Sequence, residues 1–260
     1  MIYPVKNKSD KDRLNSSSGG VFVLLARNTI NKGGIVFGVA YNGTNVEHIE
    51  VSKLEDIIKL QKSKYVRSEL KDSYNKVKEY LDKGIEVLFS GTPCQIKGLK
   101  LYLKQAYDNL LCVDSICHGT PTRKAYQEYI QENNIQSIDF RDKSKGWNGY
   151  HININGTLEY FADNKYMQDF INNRNLEASC YNCQSKELKS GSDIKLSDFW
   201  GIQSIRPQFS DDKGISAVFI NTKKGKQAFS EINDLIDKEE VSLEEATIYN
   251  SSYYNSAVRR

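Results

Sequence analysis

The chain has 260 residues, enough to bury one sizeable core or one domain with a small appendage. Its 39% hydrophobic and 27% charged residues are the mix of a soluble globular protein, and a net charge of +3, from 36 basic and 33 acidic residues, lacks the basic excess of a nucleic-acid binder. The opening Met1-Ile-Tyr-Pro-Val-Lys6 has no apolar core of a signal peptide, and the longest apolar runs, 21–26 and 35–41, are too short for membrane insertion, so a cytoplasmic location is expected.

Residues 1–15 are polar and aperiodic and read as a mobile lead-in, leaving 16–260 as a single domain. Ser16-Ser-Ser-Gly-Gly20 then opens a stretch with Val21, Leu24, Leu25 and Ile30 at helical spacing, ended by Gly33-Gly34. Strands are expected over 35–41 and 46–51, joined by the turn signal Asn42-Gly43. A helix over 68–82 puts Leu70, Val77 and Leu81 on one stripe. Strand 86–90, helix 94–103, strand 110–116 and helix 123–131 follow. This alternation predicts an α/β (α+β) fold with a mixed sheet and flanking helices. Beyond residue 135 come short strands over 137–140 and 151–155, then a long irregular cysteine-bearing stretch, 176–204. A strand over 214–221 and a helix over 223–237 complete the pattern.

Five cysteines, an odd number, argue against a disulfide framework in a reducing compartment and direct attention to metal or redox chemistry. Cys94, in Gly91-Thr-Pro-Cys94-Gln95, lies between a strand and a helix start, where unsatisfied N–H groups favour a thiolate or a phosphate. Cys117, in Cys117-His118-Gly119, ends the next strand, so both cysteines are expected at one carboxyl edge of the sheet. Cys180-Tyr-Asn-Cys183 adds two thiols at metal-gripping spacing. Cys112, five residues before Cys117, falls on the opposite strand face and reads as core. Taken singly, a C-x-x-C also suits a zinc half-site or a redox dithiol, and Cys94 and Cys117 suit inert buried thiols. His118 by itself suits a structural role, and Lys62–Lys64 a solvated patch.

Six segments in order change that balance. Val87-Leu-Phe-Ser-Gly-Thr-Pro-Cys-Gln-Ile-Lys-Gly-Leu-Lys100 and Asp114-Ser-Ile-Cys-His-Gly-Thr-Pro121 resemble the most characteristic stretches of the coenzyme F420 hydrogenase/dehydrogenase β-subunit family. Ser16-Ser-Ser-Gly-Gly-Val-Phe22, Ser63-Lys-Tyr-Val-Arg-Ser68, Phe140-Arg-Asp-Lys-Ser-Lys-Gly-Trp147 and Ser192-Asp-Ile-Lys-Leu-Ser-Asp-Phe-Trp-Gly-Ile202 resemble others. The resemblance implies an oxidoreductase subunit with FAD beside a 4Fe–4S cluster, moving electrons between a protein partner and a small-molecule substrate. By position it implies Cys94, Cys117, Cys180 and Cys183 as cluster ligands. For the flavin, it points to Ser17, Ser18, Gly19 and Gly20, a hydroxyl-rich glycine turn able to approach a pyrophosphate. Ser63, Lys64, Tyr65, Arg67, Thr92, Lys143 and Trp147 complete that candidate set. No cysteine precedes Cys94, so the ferredoxin-like segment with which family members commonly begin is expected to be missing. A ferredoxin or a separate electron-transfer subunit would then be the partner. Leu176-Glu-Ala-Ser179 stands where Arg-Pro is typical, and Lys195 and Ser197 where Thr and Gly are usual. The competing expectations are a structural zinc protein on the same thiols and a degenerate scaffold.

Overall fold

The apolar runs of the first half become the middle of one sheet, because strands covered on both faces need no polar alternation. The computed structural model describes residues 1–259. Its first elements are β1 (Ile2–Asn7), α1 (Asp10–Leu14), α2 (Val21–Asn31), β2 (Ile35–Asn42), β3 (Asn45–Val51), α3 (Ile57–Leu60), α4 (Ser73–Asp82), β4 (Val87–Gly91), α5 (Pro93–Leu103), β5 (Leu110–Ser115) and α6 (Arg123–Glu132). They continue with β6 (Ile138–Asp142), β7 (His151–Ile154), β8 (Thr157–Tyr160), α7 (Lys165–Ile171), β9 (Ile194–Asp198), α8 (Ile202–Ile205), β10 (Ser216–Ile220), α9 (Lys223–Ser230), β11 (Ile236–Lys238) and α10 (Leu243–Thr247). Eight strands form a mixed sheet in the order β11-β1-β10-β9-β5-β4-β2-β3, while β6, β7 and β8 form a separate antiparallel sheet.

Within the large sheet β2, β4, β5 and β9 run parallel, so their carboxyl ends open on one edge. Alternate side chains divide between two cores. Val36, Leu88 and Val113 pack with α2 and α9, whereas Phe37, Val87, Phe89 and Cys112 pack with α4 and α5. Val87, Leu88 and Phe89 are at most 1% exposed, and each such burial contributes about 1.5–3 kcal/mol. Cys112 is fully buried, as its strand position predicts.

Residues 1–15, expected as a lead-in, instead form β1 and α1. β1 inserts between β10 and β11, with Val5 fully buried and Asn7 N–H donating to Gly19 O at 2.9 Å. Pro4 hid this strand, since proline is unusual inside a sheet. It is tolerated because β11 covers only Val5–Asn7. The stretch 176–204, expected to be irregular throughout, contains β9 near the sheet centre. Lys195 hid that one: it lies opposite Asp114 of β5 and forms a buried ion pair with it at 2.7 Å. The helix expected over 223–237 ends at Ser230, and β11 follows. No helix among the described residues is long and apolar enough to cross a membrane.

Candidate metal centre

β4 and β5 end side by side, Gly91 opposite Asp114, and each hands the chain to a cysteine. Thr92 precedes α5, with Pro93 at its first position and Cys94 next. Thr92 N–H donates to Gln95 Oε1 at 2.9 Å, which closes the helix start. The Cys94 thiol is exposed and lies 3.1 Å from the Thr92 hydroxyl. Behind this turn runs a buried relay. His48 Nε2–H donates to Ser90 O (3.1 Å), a tautomer fixed by that acceptor. His48 Nδ1 accepts from Ser68 (3.0 Å), and Ser68 Oγ accepts from Gln95 Nε2 (2.9 Å). Burial pulls the His48 pKa down to about 4, so the ring is neutral.

Beyond β5, the segment 117–122 is paired with the segment that precedes Cys180. Thr122 N–H donates to Asn175 O at 2.8 Å and Glu177 N–H to Thr120 O at 2.9 Å. A Cβ at Gly119 would lie 2.7 Å from Leu176 Cδ1, so any larger residue there would push the Leu176 side chain aside. The turn Ala178–Asn182 carries Cys180, whose sulfur is 3.4 Å from the Thr120 N–H nitrogen. Cys183 N–H donates to Ser256 Oγ at 2.9 Å.

Cys94, Cys117, Cys180 and Cys183 all line one cavity of about 220 Å³, together with His118, Lys186 and Lys195. Cys112 does not. Burial pushes the Cys117 thiol up to about 12; the Lys186 ammonium opposes that, and the three neighbouring thiols add to it. Among the described residues no group of three His, Cys, Asp or Glu side chains is placed to hold a metal ion. His118 Nδ1 lies 3.3 Å from Ser252 Oγ, its buried Nε2 has no partner among the described residues, and burial lowers its pKa.

The candidate flavin residues divide. Ser17, Ser63, Lys64 and Tyr65 come together: Ser63 N–H donates to Ser17 Oγ at 2.8 Å, and Lys64 Nζ donates to Gln61 O at 2.6 Å. Burial lowers the Lys64 pKa to about 7, with Asp139 opposing. Arg67 is exposed. Thr92 stands apart from these at the Cys94 turn. A Cβ on Gly19 would lie 2.2 Å from Val5 O and 2.7 Å from Ser216 N, so the residue is small to fit the sheet. Gly20 takes the left-handed φ of 80° at the start of α2. Ser18 donates to Ile215 O at 2.6 Å. Lys143 donates to the carbonyls of Arg13, Ser18 and Lys213, and Trp147 is fully buried, stacked on Trp200 at 5.1 Å.

The chain matches the family model for the C terminus of the coenzyme F420 hydrogenase/dehydrogenase beta subunit over residues 85–247, more than half its length. The chain belongs to this family. No curated protein matches it in sequence. Among solved structures, it is similar to a chain of the F420-reducing NiFe hydrogenase complex from Methanosarcina barkeri, a xenon-derivatized structure, with 16% identity and a TM-score of 0.68. That match covers 98% of this chain and 89% of the other, and it shows a shared fold. Membership of the β-subunit family makes the chain an oxidoreductase subunit with a mixed α/β sheet.

Within this family member, sequence reasoning missed Arg141 and Asp198, although both lie inside resembling motifs. Arg141 is 1% exposed and pairs with both Asp198 oxygens at 3.0 Å; it also donates to Ser17 O at 2.8 Å and Tyr65 Oη at 3.1 Å. Trp147 Nε1 donates to the same Asp198 at 3.2 Å. The arginine therefore organises three candidate residues, Ser17 and Tyr65 directly and Trp147 through Asp198, that have no sequence proximity. One ring joins this region to the thiol cavity: Tyr65 and His118 each approach Phe170 with centroids 5.0 Å apart.

Proposed function

We propose that the chain is an electron-transferring oxidoreductase subunit that holds a 4Fe–4S cluster on Cys94, Cys117, Cys180 and Cys183. The observation that carries this reading is that four cysteines from three separate segments line one cavity while the fifth is buried in the core. Four thiolates are the usual demand of such a cluster. A cavity of about 220 Å³ suits a multi-atom group, whereas a tetrahedral zinc needs four sulfurs about 2.3 Å from one point. Bound there, the cluster supplies one-electron transfer. The chain's own groups do the rest: the Thr120 N–H donates toward the Cys180 sulfur, and such donors are one lever on a cluster's potential. Because the Cys117 thiol resists ionisation, ligation must expel its proton, which makes loading favour higher pH.

The family resemblance adds FAD as the second cofactor. The flavin is proposed beside Ser17, Ser63 and Tyr65, from which Phe170 leads to His118 of the thiol cavity. The similar chain's place in a hydrogenase complex supports a protein electron partner, a ferredoxin or a separate subunit, serving a small-molecule donor or acceptor. The test is the iron content of single Cys→Ser variants purified anaerobically, since a hard hydroxyl poorly replaces a thiolate. Variants of the four cavity cysteines should each lose most of their iron, and Cys112→Ser should keep it. Equal loss from Cys112→Ser would refute the ligand set.

A further inference from the structure

Two ammonium groups reach the thiol cavity, and they differ in one respect. Lys195 is neutralised by Asp114 at 2.7 Å, with both side chains at most 2% exposed. Lys186 is 7% exposed, and its Nζ donates to two carbonyls, Cys117 O at 2.6 Å and Ser252 O at 3.1 Å. Among the described residues no carboxylate pairs with it; the adjacent Glu187 pairs with Lys189 instead. Carbonyl dipoles satisfy the donors of an ammonium without cancelling its charge. Burying such a charge without an anion is unfavourable. The cavity that Lys186 lines is where four thiolates would gather.

We infer that Lys186 is the built-in counter-charge of the cluster, a positioning residue whose ammonium favours the more negative, reduced state. The inference rests on the cluster reading above. A cluster held by four thiolates is anionic in both redox states, and reduction adds one negative charge beside the ammonium. Attraction between an ammonium and an anionic group strengthens as burial lowers the local dielectric, and Lys186 is buried. It follows that without the cluster Lys186 is a liability to the fold, and with the cluster an asset.

The experiment compares Lys186→Met and Lys186→Arg with the wild-type chain, each reconstituted anaerobically with iron and sulfide and titrated against redox mediators. At the wild-type midpoint, Lys186→Met should lower the ratio of reduced to oxidised cluster by about tenfold, which for one electron is 59 mV. Lys186→Arg should stay close to wild type. Thermal melts supply the second readout. Lys186→Met should melt below wild type when the cluster is bound, and at or above wild type when it is absent. An unchanged midpoint in Lys186→Met, or equal destabilisation with and without cluster, would overturn the inference and leave Lys186 as a tether between Cys117 and Ser252. Failure of the wild-type chain to take up iron would instead overturn the cluster reading, and this inference with it.

Discussion

Lys195→Met removes the cation from a pair buried next to the sheet centre. Lys195 Nζ lies 2.7 Å from Asp114 Oδ2, the two side chains are 2% and 0% exposed, and Ser192 Oγ donates to the other oxygen at 2.8 Å. The variant leaves a buried carboxylate with one hydroxyl donor and no cation, and breaking a buried pair in this way costs about 3–5 kcal/mol. Burial already raises the Asp114 pKa, with Lys195 holding it down. Without Lys195 it rises further, so the folded state binds the proton more tightly than the unfolded chain. Stability then falls as pH rises through the folded pKa and recovers on acidification. Urea unfolding of cluster-free protein at pH 7 and pH 5 reads this directly, because no metal loss intervenes. The deficit should be several kcal/mol at pH 7, smaller at pH 5, and largely relieved in Asp114→Asn/Lys195→Met. A loss below about 1 kcal/mol, or one indifferent to pH and to the second substitution, would show that the pair does not hold β5 to β9.

Other perturbations test separate parts of the account. Gly19→Ala places a methyl against Val5 O and Ser216 N and should cost about 1–3 kcal/mol in a thermal melt, whether or not a flavin is present. His48 has a folded pKa of about 4 against 6.5, so its contribution is complete above pH 6.5 and lost as pH falls toward 4, at most about 3 kcal/mol. In a denaturation series, His48→Gln should lack that component. Arg141→Met leaves Asp198 unpaired and releases Ser17 O and Tyr65; unfolding should show a loss of about 3 kcal/mol, with a changed emission from Trp147.

The parallel strands were legible because β2, β4 and β5 are short apolar runs followed by turn or helix-start residues, and Cys112 was legible as core from its spacing to Cys117. What escaped is where tertiary contact overrides local pattern. β9 carries Lys195, which reads as solvent-facing until Asp114, eighty-one residues earlier, is set beside it. β1 contains Pro4, acceptable only because of where β11 stops. At Gly19 the sequence carries no sign of the close sheet contact, where a Cβ would lie 2.2 Å from Val5 O. Arg141 was passed over for the opposite reason, since a lone arginine in a polar motif carries no sign of burial.

Four thiols of this chain are proposed to hold one 4Fe–4S cluster. Anaerobic purification followed by iron and acid-labile sulfide analysis, with electron paramagnetic resonance of the dithionite-reduced protein, tests it most directly. The account predicts about four iron and four sulfide per chain and a signal near one spin per chain on reduction. A colourless protein with stoichiometric zinc, no sulfide and no signal would contradict it.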